Sequence, residues 1–232
     1  MVRKYEELDT SESARLFYSV SHAAVGGIGR LIFGFRVEGA SNIPQEGPGI
    51  IACNHLLDSD VLAVPTAIPN RHVTVIGREG VMNRPIQGQL FRWWGAKAIH
   101  RPATGESNRK AIMGAMDIMR KPLLENHLEL IFSSPNTRTP GKKPAKPVAS
   151  VSRLARETGA PVIPTVVKGS DRLFPRGVIV KFGEPMLHGG LRRQDKEFTA
   201  QLHDIQTELF DSIEYPFEYQ PADEVIILPA DE

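Results

Sequence analysis

The sequence predicts a single α/β domain: a mixed, mostly parallel sheet covered by helices, with an N-terminal amphipathic helix. Short apolar runs alternate with longer segments of helical spacing along most of the 232 residues, a pattern typical of strands connected by helices. The apolar content of 41% and the charged content of 24% are ordinary for a globular protein. We find no internal repeat and no domain boundary.

The first expected element is the amphipathic helix, within residues 1–35. Apolar side chains from Ala14 to Ile32 recur mainly three and four residues apart. Two interpretations stay open: the helix packs on the core, or its apolar face lies among lipid headgroups. No apolar run approaches the ~20 residues of a spanning helix, and the charged first residues are unlike a signal peptide.

The main domain is expected over residues 36–214, followed by an acidic tail over 215–232. Bounded apolar runs predict strands at 50–53, 73–76, 97–99, 128–132, 161–167 and 178–182. Helical spacing predicts helices at 84–94, 108–124, 148–158 and 195–213.

Charge is distributed unevenly along the chain. The net charge is only +1, yet residues 71–181 hold 20 Lys and Arg against 7 Asp and Glu. A basic centre with acidic ends predicts an anionic ligand or surface, unless the ends fold back on the centre. Nucleic acid is not expected as a partner, because no interleaved basic and aromatic residues and no nucleic-acid motif occur.

Cysteine and histidine content exclude other classes of site. Cys53 is the single cysteine, which excludes an internal disulfide framework. A single cysteine is compatible with a protein of a reducing compartment. Its apolar surroundings predict a core residue and not a nucleophile. No histidine spacing such as H-E-x-x-H predicts a metal site, so we expect neither a metal nor another cofactor.

A histidine and an aspartate frame the turn after the first buried strand. His55 follows the run Ile50–Cys53, and Asp60 begins the next helical pattern five residues later. Open α/β sheets place reactive groups at this edge. An imidazole can accept a proton at neutral pH, and a carboxylate on its other nitrogen would fix the tautomer. Asp58 and Ser59 could equally cap the helix, so Asp60 is not needed for capping.

The pattern Asn54-His55-x4-Asp60 resembles the first motif of the glycerolipid acyltransferase family, which includes the 1-acylglycerol-3-phosphate acyltransferases. The resemblance implies that His55 is the general base on an acceptor hydroxyl and that Asp60 orients it. It also implies an acyl thioester as donor, carried by coenzyme A or by acyl carrier protein.

Three later segments are similar to further motifs of the family. Gly95 to Arg101 resembles the second motif, although His100 replaces its acid. The third motif is altered. The proline, glutamate and glycine expected before Thr137 and Arg138 are replaced by Ser133, Ser134, Pro135 and Asn136. The segment 160–165 resembles the fourth motif. The resemblance implies that Arg101 and Arg138 hold an anionic group of the acceptor, and that Asn54 and Thr137 belong to the same substrate-binding set.

The prediction is therefore an acyltransferase of phospholipid biosynthesis in the cytoplasm, peripherally associated with an anionic membrane surface. The altered third motif leaves two alternatives open. One is a specialised acyltransferase that acts on a non-phospholipid alcohol or amine, and the other is a catalytically silent lipid-binding homologue. The sequence leaves open the acceptor, the acyl chain length, the carrier and the oligomeric state.

Overall fold

The computed structural model describes residues 12–68, 71–78, 82–83, 85, 88, 91–92, 94–99, 109–133, 138–172 and 177–222. Their helices are α1 (Glu12–Phe33), α2 (Asp60–Thr66), α3 (Arg109–Leu124), α4 (Ala149–Thr158) and α5 (Asp195–Asp211). Their strands are β1 (Arg36–Glu38), β2 (Gly49–Cys53), β3 (Val73–Arg78), β4 (Ala96–Ile99), β5 (Leu128–Phe132), β6 (Val162–Lys168) and β7 (Ile179–Phe182).

The seven strands form one sheet in the order β1-β7-β6-β2-β5-β3-β4. Every neighbouring pair is parallel except β6 and β7, which are antiparallel. The predicted single α/β domain with a mixed, mostly parallel sheet is confirmed. β1 was not predicted as a strand, because three residues at the sheet edge are too few to show periodicity; it pairs with β7 through Arg36 and Ile179.

β2 lies at the centre of the sheet and is buried along its whole length. Successive side chains point to opposite faces of a strand. Accordingly Ile51 and Cys53 join the core that includes α2, whereas Ile50 and Ala52 join the core beneath α3, α4 and α5. Burial on both faces explains why this strand is a continuous apolar run and not an alternating one.

Helix α1 packs on the domain through one face and exposes apolar side chains on another. The Nε2 atom of His22 lies 2.8 Å from the carbonyl oxygen of Pro65 in α2. The ring of Tyr18 contacts Trp94, with centroids 5.8 Å apart. Leu16 and Val20 are 65% and 60% exposed. The helix therefore packs on the core, and contact of its exposed face with lipid stays a prediction. Among the described helices, none combines the length and apolarity that crossing a bilayer requires.

The parallel arrangement brings the carboxyl ends of β5, β2 and β6 to one edge of the sheet. The residues that follow these strands are therefore neighbours: His55 after β2, Ser133 after β5 and Gly169 after β6. Such an edge is where open α/β sheets place their sites.

Candidate active site

The turn between β2 and α2 holds a histidine–aspartate pair. The Nδ1 atom of His55 lies 3.0 Å from Oδ2 of Asp60, which is the first residue of α2. The Asp60 side chain is fully buried, whereas that of His55 is 16% exposed. A carboxylate at this position accepts the Nδ1 hydrogen, so Nε2 is the nitrogen left to accept a proton.

Two backbone amides hold the same oxygen of Asp60. The N–H groups of Leu56 and Leu57 donate to Oδ2 at 2.6 and 2.9 Å. Three donors therefore converge on one carboxylate oxygen, and they fix its position and orientation. No side-chain cap bond is made by Ser59 at the start of α2. Asp60 therefore holds the turn before α2, whereas a capping residue would bond to the first N–H groups of the helix.

The His55 ring and backbone are held from the β5 side of the site. The ring stacks on Phe132, with centroids 4.0 Å apart and planes 21° apart. The carbonyl oxygen of His55 accepts from Thr139, from its N–H at 2.8 Å and its Oγ1 at 3.2 Å. Thr139 follows the altered third motif. Neither contact could be predicted from a sequence pattern, because both depend on pairing between strands far apart in the chain.

The side chain of Asn54 links β2 to β6 by taking the place of a pair of backbone hydrogen bonds between the two strands. Its Nδ2 donates to the carbonyl oxygen of Val167 at 3.0 Å, and its Oδ1 accepts from the N–H of Val167 at 2.8 Å. The side chain is fully buried. The structure therefore places this predicted substrate-binding residue beneath the site, where it fixes the strand end that carries His55.

Arg138 forms an ion pair with Asp58 on the same turn. Its Nε donates to Oδ1 of Asp58 at 2.8 Å, and its Nη2 contacts the same oxygen. Both side chains are exposed, by 41% and 60%. The predicted anion ligand thus lies beside the His55 turn but is held by a carboxylate. The predicted residues Arg101 and Thr137 lie outside the described residues.

A buried glutamine joins the strand ends under the site. Gln206 of α5 donates from Nε2 to the carbonyl oxygens of Ala52 at 2.8 Å and Thr165 at 3.2 Å. It also contacts the hydroxyl of Ser133, which donates to the carbonyl oxygen of Cys53 at 3.0 Å. Sequence analysis missed Gln206, because it lies in an ordinary amphipathic helix far along the chain.

Other chemistries find no support in the described part of the chain. Cys53 is fully buried, and burial, together with the nearby Asp60 carboxylate, raises the pKa of its thiol well above the usual value. A thiol in that state is not a nucleophile. Within the described ranges no three His, Cys, Asp or Glu side chains cluster as metal ligands.

Comparisons with known proteins give a family and a protein of similar fold. The model of the acyltransferase family matches residues 34–168, which include His55, Asp60 and Arg138. The chain is similar in fold to the 1-acyl-sn-glycerophosphate acyltransferase PlsC from Thermotoga maritima. The TM-score is 0.66 at 18% identity, and the match covers 89% of this chain and 86% of that one. Comparison with curated protein sequences gave no match.

Proposed function

The chain belongs to the acyltransferase family, and from this premise we propose that it transfers an acyl chain from a thioester to an acceptor hydroxyl with His55 as general base and Asp60 as its orienting carboxylate. That it is an enzyme transferring acyl groups follows from the family. The residues and their roles are the proposal. The observation that supports them is the fixed contact of 3.0 Å between Nδ1 of His55 and the buried Asp60.

The proposed reaction is a direct transfer. Nε2 of His55 takes the proton of the acceptor hydroxyl as its oxygen attacks the thioester carbonyl carbon. The carbonyl re-forms as the carbon–sulfur bond breaks, and the thiolate leaves with the proton that His55 returns. Asp60 stabilises the imidazolium between these steps. The burial of Cys53 argues against a covalent acyl-cysteine. The thioester is a co-substrate, and the proposed steps use no metal or other cofactor.

For the acceptor, we propose an amphiphile, with a 1-acylglycerol-3-phosphate as the first candidate. PlsC, the protein of similar fold, is a 1-acyl-sn-glycerophosphate acyltransferase, and this supports the choice, as does the basic centre of the chain. For the donor, coenzyme A and acyl carrier protein thioesters are the two candidates. Both fit the same mechanism, because each presents the same thioester group to the acceptor hydroxyl.

A membrane surface is the proposed place of reaction. Leu16 and Val20 are one helical turn apart on α1 and mostly exposed. Apolar side chains of this kind on a helix face can enter the headgroup region of a bilayer. We propose peripheral association, with a salt-sensitive contribution from the basic centre.

The substitution His55→Ala tests the catalytic proposal. Acyl transfer from coenzyme A and acyl carrier protein thioesters is measured by mass spectrometry against a panel of acceptors. The variant should lose transfer while keeping the melting temperature, because the ring is part of a turn and not of the core. His127→Ala is the matched control, since His127 lies directly before β5, at the opposite edge of the sheet. Near-normal turnover in His55→Ala would refute the proposal.

A second candidate function is transfer to an acceptor without a phosphate. The observation that favours it is the ion pair in which Asp58 holds Arg138. An anionic acceptor must compete with this carboxylate for the guanidinium. An exposed pair is worth at most about 1 kcal/mol, so Asp58→Asn should raise kcat/KM for a phosphorylated acceptor up to about fivefold and leave an uncharged one unchanged. Efficient, selective use of 1-acylglycerol-3-phosphate by the unaltered enzyme would exclude this candidate.

A further inference from the structure

The hydroxyl of Tyr219 and the carboxylate of Asp171 meet where three distant segments come together. Tyr219 donates to Oδ1 of Asp171 at 2.7 Å and accepts from the N–H of Gly169 at 3.0 Å. Gly169 and Asp171 closely follow β6, at the edge of the sheet where His55 lies. Tyr219 belongs to the segment after α5 and is 8% exposed. A residue from the end of the described chain is therefore joined to the loops of the site.

The same pair holds the loop that follows the altered third motif. The other carboxylate oxygen of Asp171, Oδ2, accepts from the N–H of Gly141 at 2.5 Å. The residue after Tyr219 adds two backbone bonds. The N–H of Gln220 donates to the carbonyl oxygen of Gly141 at 2.8 Å, and its own carbonyl oxygen accepts from the N–H of Lys143 at 2.9 Å. We call residues 138–143 the acceptor loop.

The acceptor loop in turn touches the proposed base. Lys142 closes a turn back to Thr139, its N–H lying 3.1 Å from the carbonyl oxygen of that residue. Thr139 donates twice to the carbonyl oxygen of His55. Arg138, the proposed anion ligand, precedes Thr139 directly. A series of hydrogen bonds and short loop segments thus runs from Tyr219 through Asp171, Gly141 and Thr139 to the backbone of His55.

The Tyr219 ring is anchored independently of its hydroxyl. It packs edge-on against Phe210 of α5, with centroids 4.9 Å apart. The Nζ of Lys168 lies 5.7 Å from the ring centroid and the guanidinium of Arg172 lies 5.1 Å from it. Replacing tyrosine by phenylalanine at this position should keep these ring contacts and remove the hydroxyl bonds. The role of the hydroxyl can therefore be measured separately.

We propose that Tyr219 and Asp171 are positioning residues that hold the acceptor loop against the His55 turn, so that the segment after α5 determines how well the enzyme binds its acceptor. The inference rests on the proposed function, because it takes Arg138 of the acceptor loop as a ligand of the acceptor. Neither Tyr219 nor Asp171 touches the reacting atoms. Their effect passes through the loop, and the His55 ring keeps its contacts with Asp60 and Phe132.

The first test is Tyr219→Phe in the full chain. The acceptor KM should rise about tenfold, because Asp171, which holds Gly141 of the acceptor loop, loses the hydrogen bond from the hydroxyl. The values of kcat and the donor KM should change less than about threefold, because the His55–Asp60 pair is untouched. Tyr18→Phe is the matched control, since it removes another buried tyrosine hydroxyl, in the packing of α1. A purely structural role for Tyr219 would lower the melting temperature without this division between KM and kcat.

A graded pair of substitutions at Asp171 provides the second test. Asp171→Asn keeps one oxygen to accept from Gly141, whereas Asp171→Ala keeps none, so the acceptor KM should rise in the order wild type, Asn, Ala. Equal KM values in all three proteins would overturn the proposal. The proposal would also be overturned if Tyr18→Phe raised the acceptor KM as much as Tyr219→Phe does.

Hydrogen exchange followed by mass spectrometry separates this inference from the proposed function. Peptides covering 139–143 should exchange faster in Tyr219→Phe than in the wild type, whether or not a substrate is known. Unchanged exchange there overturns the positioning role even if acyl transfer is intact. Faster exchange in the variant, combined with a wild-type protein that transfers no acyl group, would instead refute the proposed function and leave the loop contact standing.

Discussion

The substitution Asp60→Asn should lower kcat by removing the negative charge that faces His55. In the serine-protease triad the equivalent change lowers kcat about 10⁴-fold, since the amide selects the wrong imidazole tautomer. In this chain the N–H groups of Leu56 and Leu57 donate to the same oxygen that accepts from His55. They require an acceptor at that position, so the asparagine oxygen should replace Oδ2 and keep the tautomer. Loss of the negative charge is then the main effect.

The magnitude follows from the contact distance. Nδ1 and Oδ2 lie 3.0 Å apart, which puts the charge centres about 4 Å apart, and the attraction of an imidazolium for a carboxylate there is about 4 kcal/mol at an effective dielectric constant of ~20. Removing it corresponds to a loss in kcat of about 10³-fold.

The assay is steady-state acyl transfer at saturating acceptor, with Asp117→Asn as the matched control because Asp117 is 60% exposed and pairs on the surface with Arg120. A loss smaller than tenfold in an Asp60→Asn protein of wild-type melting temperature would refute the electrostatic reasoning. A loss of 10⁴-fold or more would show that the tautomer had also changed.

Two further predictions concern stability and membrane binding. Burial, opposed by nearby Lys97, raises the pKa of Glu129 well above its usual value of 4.5; the folded state therefore binds this proton more tightly, and stability falls as pH rises above 4.5. Glu129→Gln should raise the free energy of unfolding at pH 7, and the gain should vanish near pH 4 in urea titrations. An equal gain at both pH values would contradict this. The double change Leu16→Asp and Val20→Asp should reduce co-sedimentation with anionic vesicles, whereas Leu187→Asp, at a position 75% exposed, should not; equal binding by both variants would return α1 to a core role alone.

Local pattern was sufficient for most of the fold. The strand predicted at 128–132 coincides with β5, and the helix predicted at 108–124 differs from α3 by one residue. Apolar periodicity is a property of neighbouring residues, so it can be seen in the sequence. β1 was missed because its stability comes from pairing with β7, which no local pattern of three residues can indicate.

The candidate site divides in the same way. His55 and Asp60 could be found because the turn that joins them lies within six residues, and the structure brings them into contact. The partners that hold this pair from outside were not predictable. The order of the strands in the sheet brings three such residues near the site: Gln206, Thr139 and Tyr219. Their residue types occur throughout any globular sequence, so no pattern marks them. The ion pair of Arg138 with Asp58 likewise depends on how β5 lies beside β2.

The central position of β2 has a consequence for biosynthesis. Ile50 pairs with Glu129 on one side and Val162 on the other, so the strand that carries His55 leaves the ribosome long before either neighbour. Until β6 has been translated, a wholly apolar strand has at least one unpaired edge, which favours association with other chains. Pairings so distant in sequence also form slowly. Catalytic competence should therefore arise only after β5 and β6 have both paired with β2.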